Sequence, residues 1–182
     1  EKVVKLDTQG KDHVLYLSAL NQGLKEFDLK YRFDKQEVKL GRTYKRGYSL
    51  FIDDKDVAHL AYFDVPRNGL FYRNMKKGKE VAIAGKGAGR YNQVTTSPDG
   101  GVYIVYSNEG DDKNTVEIAY SSDGKSFRSV VLASSDSDIG EEVYITFSPK
   151  GKALVAFRDG GDIVLIPFSD LTAKIAQKKA AN

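Results

Sequence analysis

Short runs of alternating apolar and polar residues fill most of this chain, and turns rich in Asp, Ser, Pro and Gly separate them. Such alternation is typical of half-buried β-strands, and the intervening residues favour tight hairpin turns. In four of these runs an aromatic residue occupies an equivalent place, at intervals of about 45 to 50 residues. The four residues are Tyr16, Tyr62, Tyr106 and Phe157. The pattern therefore predicts a repeated all-β unit.

The same elements surround each aromatic residue. A turn precedes the aromatic strand in every unit, at residues 7–10, 53–56, 97–100 and 148–151. A third strand follows it, at residues 29–31, 70–72, 118–120 and 164–166. A fourth strand follows in three units, at residues 37–40, 80–84 and 128–133. Each unit is thus predicted to be a meander of up to four antiparallel strands.

Repeats of this kind predict a β-propeller-like array. One four-stranded sheet cannot cover both of its faces alone, so neighbouring blades must supply the cover. The predicted domain spans residues 1–170, with units at about 1–40, 48–84, 92–133 and 143–168. The last unit lacks an obvious outer strand. Residues 171–182, rich in Ala, Lys and Gln, are predicted to form a short helix or a frayed tail.

Several arrangements satisfy this repeat. Four units can close as a compact four-bladed propeller, form part of a larger propeller, or form a half that a second chain completes. A β-sandwich built from hairpins is the alternative outside the propeller class.

Composition and charge argue against several classes of function. With 41% hydrophobic and 29% charged residues, the chain has the composition of a globular protein without a membrane span. Its net charge is only +3, with both signs mixed along the chain, which argues against nucleic acid as a partner. It has no Cys and two His, so no metal site and no cofactor are predicted.

A turn in the third unit resembles a known repeat family. Residues 121–127 read Ser-Ser-Asp-Gly-Lys-Ser-Phe, similar to the Asp-box of bacterial neuraminidase repeats but one residue shorter and with Phe in place of Trp. The resemblance implies a sialidase-like propeller repeat in which Ser121, Asp123, Gly124 and Phe127 shape the hairpin between the third and fourth strands. It transfers no catalytic residue to this chain.

The loops joining one unit to the next are expected to gather on one face around the axis. Arg46 and Arg90 stand just before the first strands of units two and three, and Glu141 has that place in unit four. Arg presents a planar fork suited to carboxylate or sulfate, and Tyr offers a stacking face for a sugar ring. The predicted ligand-binding residues are Arg46, Arg90, Lys45, Lys86, Tyr44 and Tyr91. Alternatively, the two arginines pair with Glu141, Glu142 or Asp136 and fasten adjacent units.

Other residues carry less specific signals. Asp64 and Asp159 each lie two residues after an aligned aromatic residue and could form a glycosidase-like pair of carboxylates. His13 and His59 occupy equivalent strand positions, which indicates an architectural role. The glycine-rich segment 85–89 precedes a strand rather than a helix, so it is interpreted as a loop and not a phosphate site.

These patterns favour a non-catalytic binding module that recognises an anionic glycan or a protein partner through its loop face. One alternative is a sialidase-like or other glycoside hydrolase remnant, with Asp64 or Asp159 as acid or base. Another is a structural part of a larger assembly, either a homo-oligomer or a chain whose partner completes the fourth unit. By analogy with the family, an extracellular or periplasmic location is expected.

Overall fold

A computed structural model describes residues 1–21, 25–110, 112–136 and 138–167. Its 15 strands form four antiparallel sheets, each a meander in chain order. The first sheet contains β1 (Lys2–Leu6), β2 (Asp12–Asn21), β3 (Glu26–Phe33) and β4 (Gln36–Thr43). The second contains β5 (Tyr48–Ile52), β6 (Ala58–Asp64), β7 (Gly69–Asn74) and β8 (Glu80–Ala84).

The third sheet contains β9 (Asn92–Thr96), β10 (Val102–Glu109), β11 (Asn114–Ser121) and β12 (Arg128–Ser135). The fourth has three described strands, β13 (Ile139–Phe147), β14 (Ala153–Asp159) and β15 (Asp162–Pro167). The all-β prediction is confirmed. The predicted C-terminal helix or tail, residues 171–182, lies outside the described residues. Within the described part, no helix is long and apolar enough to span a membrane.

Asp side chains shape the first hairpin of the first two sheets. Asp7 Oδ1 accepts hydrogen bonds from the amides of Gln9 and Lys11, at 2.9 and 2.8 Å. Asp53 Oδ1 likewise accepts hydrogen bonds from the amides of Lys55 and Val57, at 3.0 and 2.8 Å. The carboxylate holds each turn closed, which fixes the register of the strands on either side.

Hydrophobic clusters join each sheet to the next. Leu15 and Leu29 of the first sheet pack against Leu60 and Tyr62 of the second. The opposite face of the second sheet, with Leu70 and Tyr72, packs against Ile104 and Tyr106 of the third. Val105 and Ile118 then pack against Val155 and Phe157 of the fourth. Because side chains alternate between the faces of a strand, the neighbouring residues Val105 and Tyr106 serve different junctions.

The aligned aromatic residues therefore occupy equivalent places. Tyr62, Tyr106 and Phe157 face the preceding sheet, while Tyr16, on the first sheet, is half-buried. The hydroxyl groups of Tyr16 and Tyr62 donate to Glu37 and Glu80, each on the fourth strand of its sheet. The Tyr106 hydroxyl donates to Glu117 on the third strand instead.

The first strands of the four sheets surround a shared cavity of about 480 Å³, here called the axial cavity. It is lined by residues 3 and 5 of β1, 48–50 of β5, 92 and 93 of β9, and 141–144 of β13, together with Arg46 and Tyr91. Ser49 Oγ donates to Asn92 Oδ1 at 2.9 Å and accepts from the Val94 amide at 3.0 Å, which fastens β5 to β9. The sheets thus radiate in chain order from a common centre.

The described sheets do not close into a ring. Packing runs from the first sheet through to the fourth, and no comparable packing joins the fourth sheet to the first among the described residues. Consequently, the outward face of the fourth sheet is apolar and open to solvent. The exposed apolar side chains on this face are Tyr144, Leu154, Ile163 and Leu165. Ile163 is 78% exposed.

The turn that resembles an Asp-box joins β11 to β12. Asp123 Oδ1 accepts from the amides of Lys125 and Ser126 and from Ser121 Oγ, at 2.8, 3.2 and 3.0 Å. Gly124 takes a φ of 67°, a left-handed conformation that suits glycine. The Phe127 ring packs against Tyr72, with ring centroids 5.1 Å apart, so the turn reaches the second sheet.

Candidate functional site

Two tight loops on one face of the array carry the predicted basic and aromatic residues. In the first, the Gly47 amide donates to the Tyr44 carbonyl at 3.2 Å, and Thr43 Oγ1 donates to the Gly47 carbonyl at 3.2 Å. A Cβ on residue 47 would lie 2.5 Å from Thr43 Oγ1, so the loop requires glycine there. Tyr44, Lys45 and Arg46 therefore occupy a fixed turn between β4 and β5.

The second loop joins β8 to β9 and is anchored to the third sheet. The Gly89 amide donates to the Ser107 carbonyl at 2.6 Å, and the Tyr91 amide donates to Ser107 Oγ at 3.3 Å. Asn92 Nδ2 donates back to the Gly89 carbonyl at 2.9 Å. These bonds fix Arg90 and Tyr91 before any ligand binds, which lowers the entropic cost of recognition.

Together the loops form an open cavity of about 760 Å³, here called the outer cavity. It is lined by Lys25, Phe27, Tyr44, Lys45, Arg46, Arg90, Tyr91 and Glu109. Of the described residues, four cationic side chains face one carboxylate, and three aromatic rings complete this lining. The cavity is therefore basic and aromatic.

The guanidinium groups of Arg46 and Arg90 each form an ion pair but remain accessible to solvent. Arg90 Nη1 lies 3.3 Å from Glu109 Oε2, and the Arg90 guanidinium carbon lies 5.4 Å from the Tyr44 ring centroid. Arg46 Nη1 lies 3.6 Å from Glu142 Oε1 of β13. The side chains of Arg46 and Arg90 are 65% and 42% exposed, so both can still reach a ligand.

Burial makes the nearby phenols weaker acids than free tyrosine. Burial raises the pKa of Tyr91, with the charge of Glu141 adding to the effect. Burial also raises the pKa of Tyr48, in the axial cavity, to about 12. Both hydroxyl groups therefore stay protonated at neutral pH and can donate a hydrogen bond.

The outer and axial cavities share Arg46 and Tyr91. The axial cavity differs in charge, because it contains Glu141 and Glu142 as well as Lys5. Glu141 lies within β13 rather than before its first residue, because β13 begins at Ile139. A register shift between Ile139 and Val143 accompanies this earlier start.

Five of the six predicted ligand-binding residues line the outer cavity. The sixth, Lys86, takes a φ of 49° in the loop before β9 and lines neither the outer nor the axial cavity. The sequence did not single out Phe27, Lys25 or Glu109. Lys25 lies in the connection between β2 and β3, and Glu109 is the last residue of β10, so both belong to the predicted loop face. Phe27 lies inside β3, and no motif in the sequence marked it.

Asp64 and Asp159, the carboxylates proposed as a catalytic pair, lie outside both cavities. Asp64 is 4% exposed; its Oδ1 accepts from the Arg42 amide at 3.0 Å, and its Oδ2 accepts from Arg67 Nε. Arg67 also donates to Glu80, whose pKa stays low because Arg67 and Tyr62 outweigh the effect of burial. Asp159 ends β14 and pairs in register with Asp162. Neither Asp64 nor Asp159 lines the outer or the axial cavity.

The two histidines occupy matching environments. The Nδ1 atoms of His13 and His59 are hydrogen-bonded to the hydroxyl groups of Tyr31 and Tyr72, at 2.5 and 2.7 Å. Their Nε2 atoms face turn carboxylates: His13 lies 3.7 Å from Asp7, and His59 lies 3.1 Å from Asp53. His59 thus links a hairpin turn to the third strand of its own sheet by hydrogen bonds. His13 is hydrogen-bonded to the third strand, but its Nε2 has no hydrogen-bond partner among the described residues.

Comparison with known proteins reveals similarity of fold. No family model matches the sequence, and no curated protein matches it significantly. Among solved structures, a protein of unknown function from Dyadobacter fermentans matches with a TM-score of 0.56 and 13% identity, over 92% of this chain and 60% of that one. An exo-β-1,3-galactanase from Clostridium thermocellum matches with a TM-score of 0.54 and 12% identity, over 90% of this chain and 45% of that one.

A GH43 β-1,3-galactosidase, solved with galactodeoxynojirimycin, matches with a TM-score of 0.53 and 13% identity, over 90% of this chain and 70% of that one. At such identities the similarity concerns fold alone, and it assigns the four sheets to a β-propeller-like class. The chain spans 60% of the length of the Dyadobacter protein and 45% of that of the galactanase.

Proposed function

We propose that this chain is a non-catalytic binding module whose outer cavity recognises an anionic glycan. The observation that carries the proposal is the lining of one cavity, among the described residues, by four cations, three aromatic rings and one carboxylate. Guanidinium groups bind carboxylate or sulfate through paired hydrogen bonds, and aromatic rings pack against the apolar faces of sugars.

The shape and rigidity of the cavity support the same ligand class. Its volume of about 760 Å³ lies in the range of roughly 300–1,000 Å³ that is usual for small-molecule sites. Arg90 is oriented by Glu109 and by the Tyr44 ring, so little side-chain freedom is lost when a ligand binds. A fold shared with enzymes that act on galactose-containing glycans is compatible with carbohydrate recognition.

Binding to a panel of acidic and neutral saccharides, measured by calorimetry, tests the proposal. We expect the Arg46→Ala/Arg90→Ala variant to lose at least tenfold in affinity for acidic glycans, because two charged hydrogen-bonding groups are removed. The matched control is Arg32→Ala/Arg128→Ala, which removes the same charge from exposed strand positions outside the outer cavity. Equal affinity in wild type and the Arg46/Arg90 variant would refute the proposal.

The hydrolase alternative has its own test. A buried Asp64 held by Arg67 and by the Arg42 amide supports a structural role for this carboxylate. We therefore expect no turnover of aryl β-galactosides above the uncatalysed rate. Turnover that disappears in the Asp64→Asn or Asp159→Asn variant would replace the binding proposal with a catalytic one.

A further inference from the structure

The axial cavity adjoins the outer cavity but offers a different chemical surface. Both cavities include Arg46 and Tyr91 in their lining, so the two cavities lie side by side. The axial cavity has a volume of about 480 Å³, enough for a further small-molecule group.

Charge distinguishes the two cavities. The outer cavity has an excess of cations, whereas in the axial cavity Glu141 and Glu142 balance Lys5 and Arg46. The Glu142 carboxylate already forms an ion pair with Arg46. Glu141 is exposed, and no ion pair or hydrogen bond of its side chain is seen among the described residues.

The remaining axial lining is uncharged and mixes polar with apolar side chains. Tyr48 presents a hydroxyl group, whereas Ser49, Asn92 and Gln93 are already hydrogen-bonded within the protein. Apolar and aromatic surface comes from Val3, Leu50, Val143 and Tyr144. A hydroxyl donor beside apolar and aromatic surface suits an uncharged sugar, while a free carboxylate repels a second anionic group.

We propose that the axial cavity is a second subsite for a neutral sugar unit, so that the ligand is an acidic oligosaccharide with an anionic unit beside a neutral one. This inference rests on the proposed function, because the outer cavity must hold the anionic unit. Glu141 accepts hydrogen bonds from the neutral sugar and discriminates against a second anionic unit at the same place.

Three probes test the inference by calorimetry: glucuronic acid, a disaccharide of a neutral pentose and glucuronic acid, and digalacturonic acid. We expect the mixed disaccharide to bind about tenfold more tightly than either of the others, a difference of about 1.4 kcal/mol. The Glu141→Gln variant should bind digalacturonic acid more tightly than wild type does, because the repulsion is removed. Its affinity for glucuronic acid alone should be unchanged.

The control is Asp54→Asn, which removes a carboxylate from an exposed turn that lines neither cavity. Equal binding of all three probes, with no effect of Glu141→Gln, would overturn the second subsite and leave the proposed function standing. If none of the probes nor any other acidic glycan binds, the proposed function itself fails. The two failures are therefore distinguishable.

Discussion

At the scale of single residues, Gly69 shows how closely two strands approach near the loop face. A Cβ at this position would lie 2.6 Å from the carbonyl oxygen of Ala84, a backbone atom that cannot move aside. We expect Gly69→Ala to lower the free energy of unfolding by about 1–3 kcal/mol, measured by urea denaturation. The control is Gly85→Ala, since no atom lies within 4 Å of the added Cβ. Equal stabilities of the two variants would contradict the packing described.

The buried histidines give the protein a pH-dependent stability. Burial lowers the pKa of His59, although Asp53 partly offsets the effect and the nearby Lys77 adds to it. Burial also lowers the pKa of His13, again with a turn carboxylate opposing it. The unfolded chain protonates near the usual pKa of about 6.5, so it binds more protons than the folded state just below that pH. The free energy of unfolding should therefore decrease as the pH falls from 7 to 5.

Substitution tests this dependence directly. The His13→Gln/His59→Gln variant, unfolded in urea at pH 5, 6 and 7, should show a smaller decrease than wild type over this range. A decrease of the same size in both proteins would show that other groups are responsible.

At the scale of elements, the turn between β11 and β12 depends on one carboxylate. Hydrogen bonds from the Lys125 amide, the Ser121 hydroxyl and the Ser126 amide lower the pKa of Asp123. The carboxylate therefore stays charged at neutral pH, and its bonds to the turn are lost only as the pH falls through that lowered pKa. We expect Asp123→Ala to accelerate amide hydrogen exchange in residues 121–127. Lys125→Ala, which keeps the carboxylate, serves as the control, and unchanged exchange in Asp123→Ala would count against this role.

Most elements could be predicted from local sequence, because alternation and turn chemistry are local properties. The strand around Tyr62 and the turn at Asp53 both follow from a few neighbouring residues. The pairing of Asp64 with Arg67 could not be predicted in the same way, because it depends on how the turn after β6 directs two side chains. Spacing alone therefore suggested a catalytic pair, while the fold buries Asp64 and gives it Arg67 as an ion-pair partner.

At the scale of the whole molecule, the repeat predicted that distant loops would meet. Arg46 and Arg90 line one cavity because equivalent positions in successive units become neighbours around the axis. The division into an outer and an axial cavity could not be predicted, because it depends on where four separate strands approach one another. The place of Phe27 in the lining of the outer cavity could not be predicted either, because it also depends on the approach of separate strands and β3 contains no distinctive motif.

The open apolar face of the fourth sheet has a practical consequence for anyone handling the protein. Environment-sensitive dyes that fluoresce on apolar surfaces should bind the native state there. We expect Ile163→Thr/Leu165→Thr to reduce this native-state fluorescence while leaving the urea midpoint nearly unchanged, because both side chains are exposed and Thr favours strands. Val155→Thr, on the buried face of the same sheet, should instead lower the midpoint. A melting curve recorded with such a dye would start from a bright baseline, so the emission of the 11 tyrosines, in a chain without tryptophan, is the better reporter of unfolding.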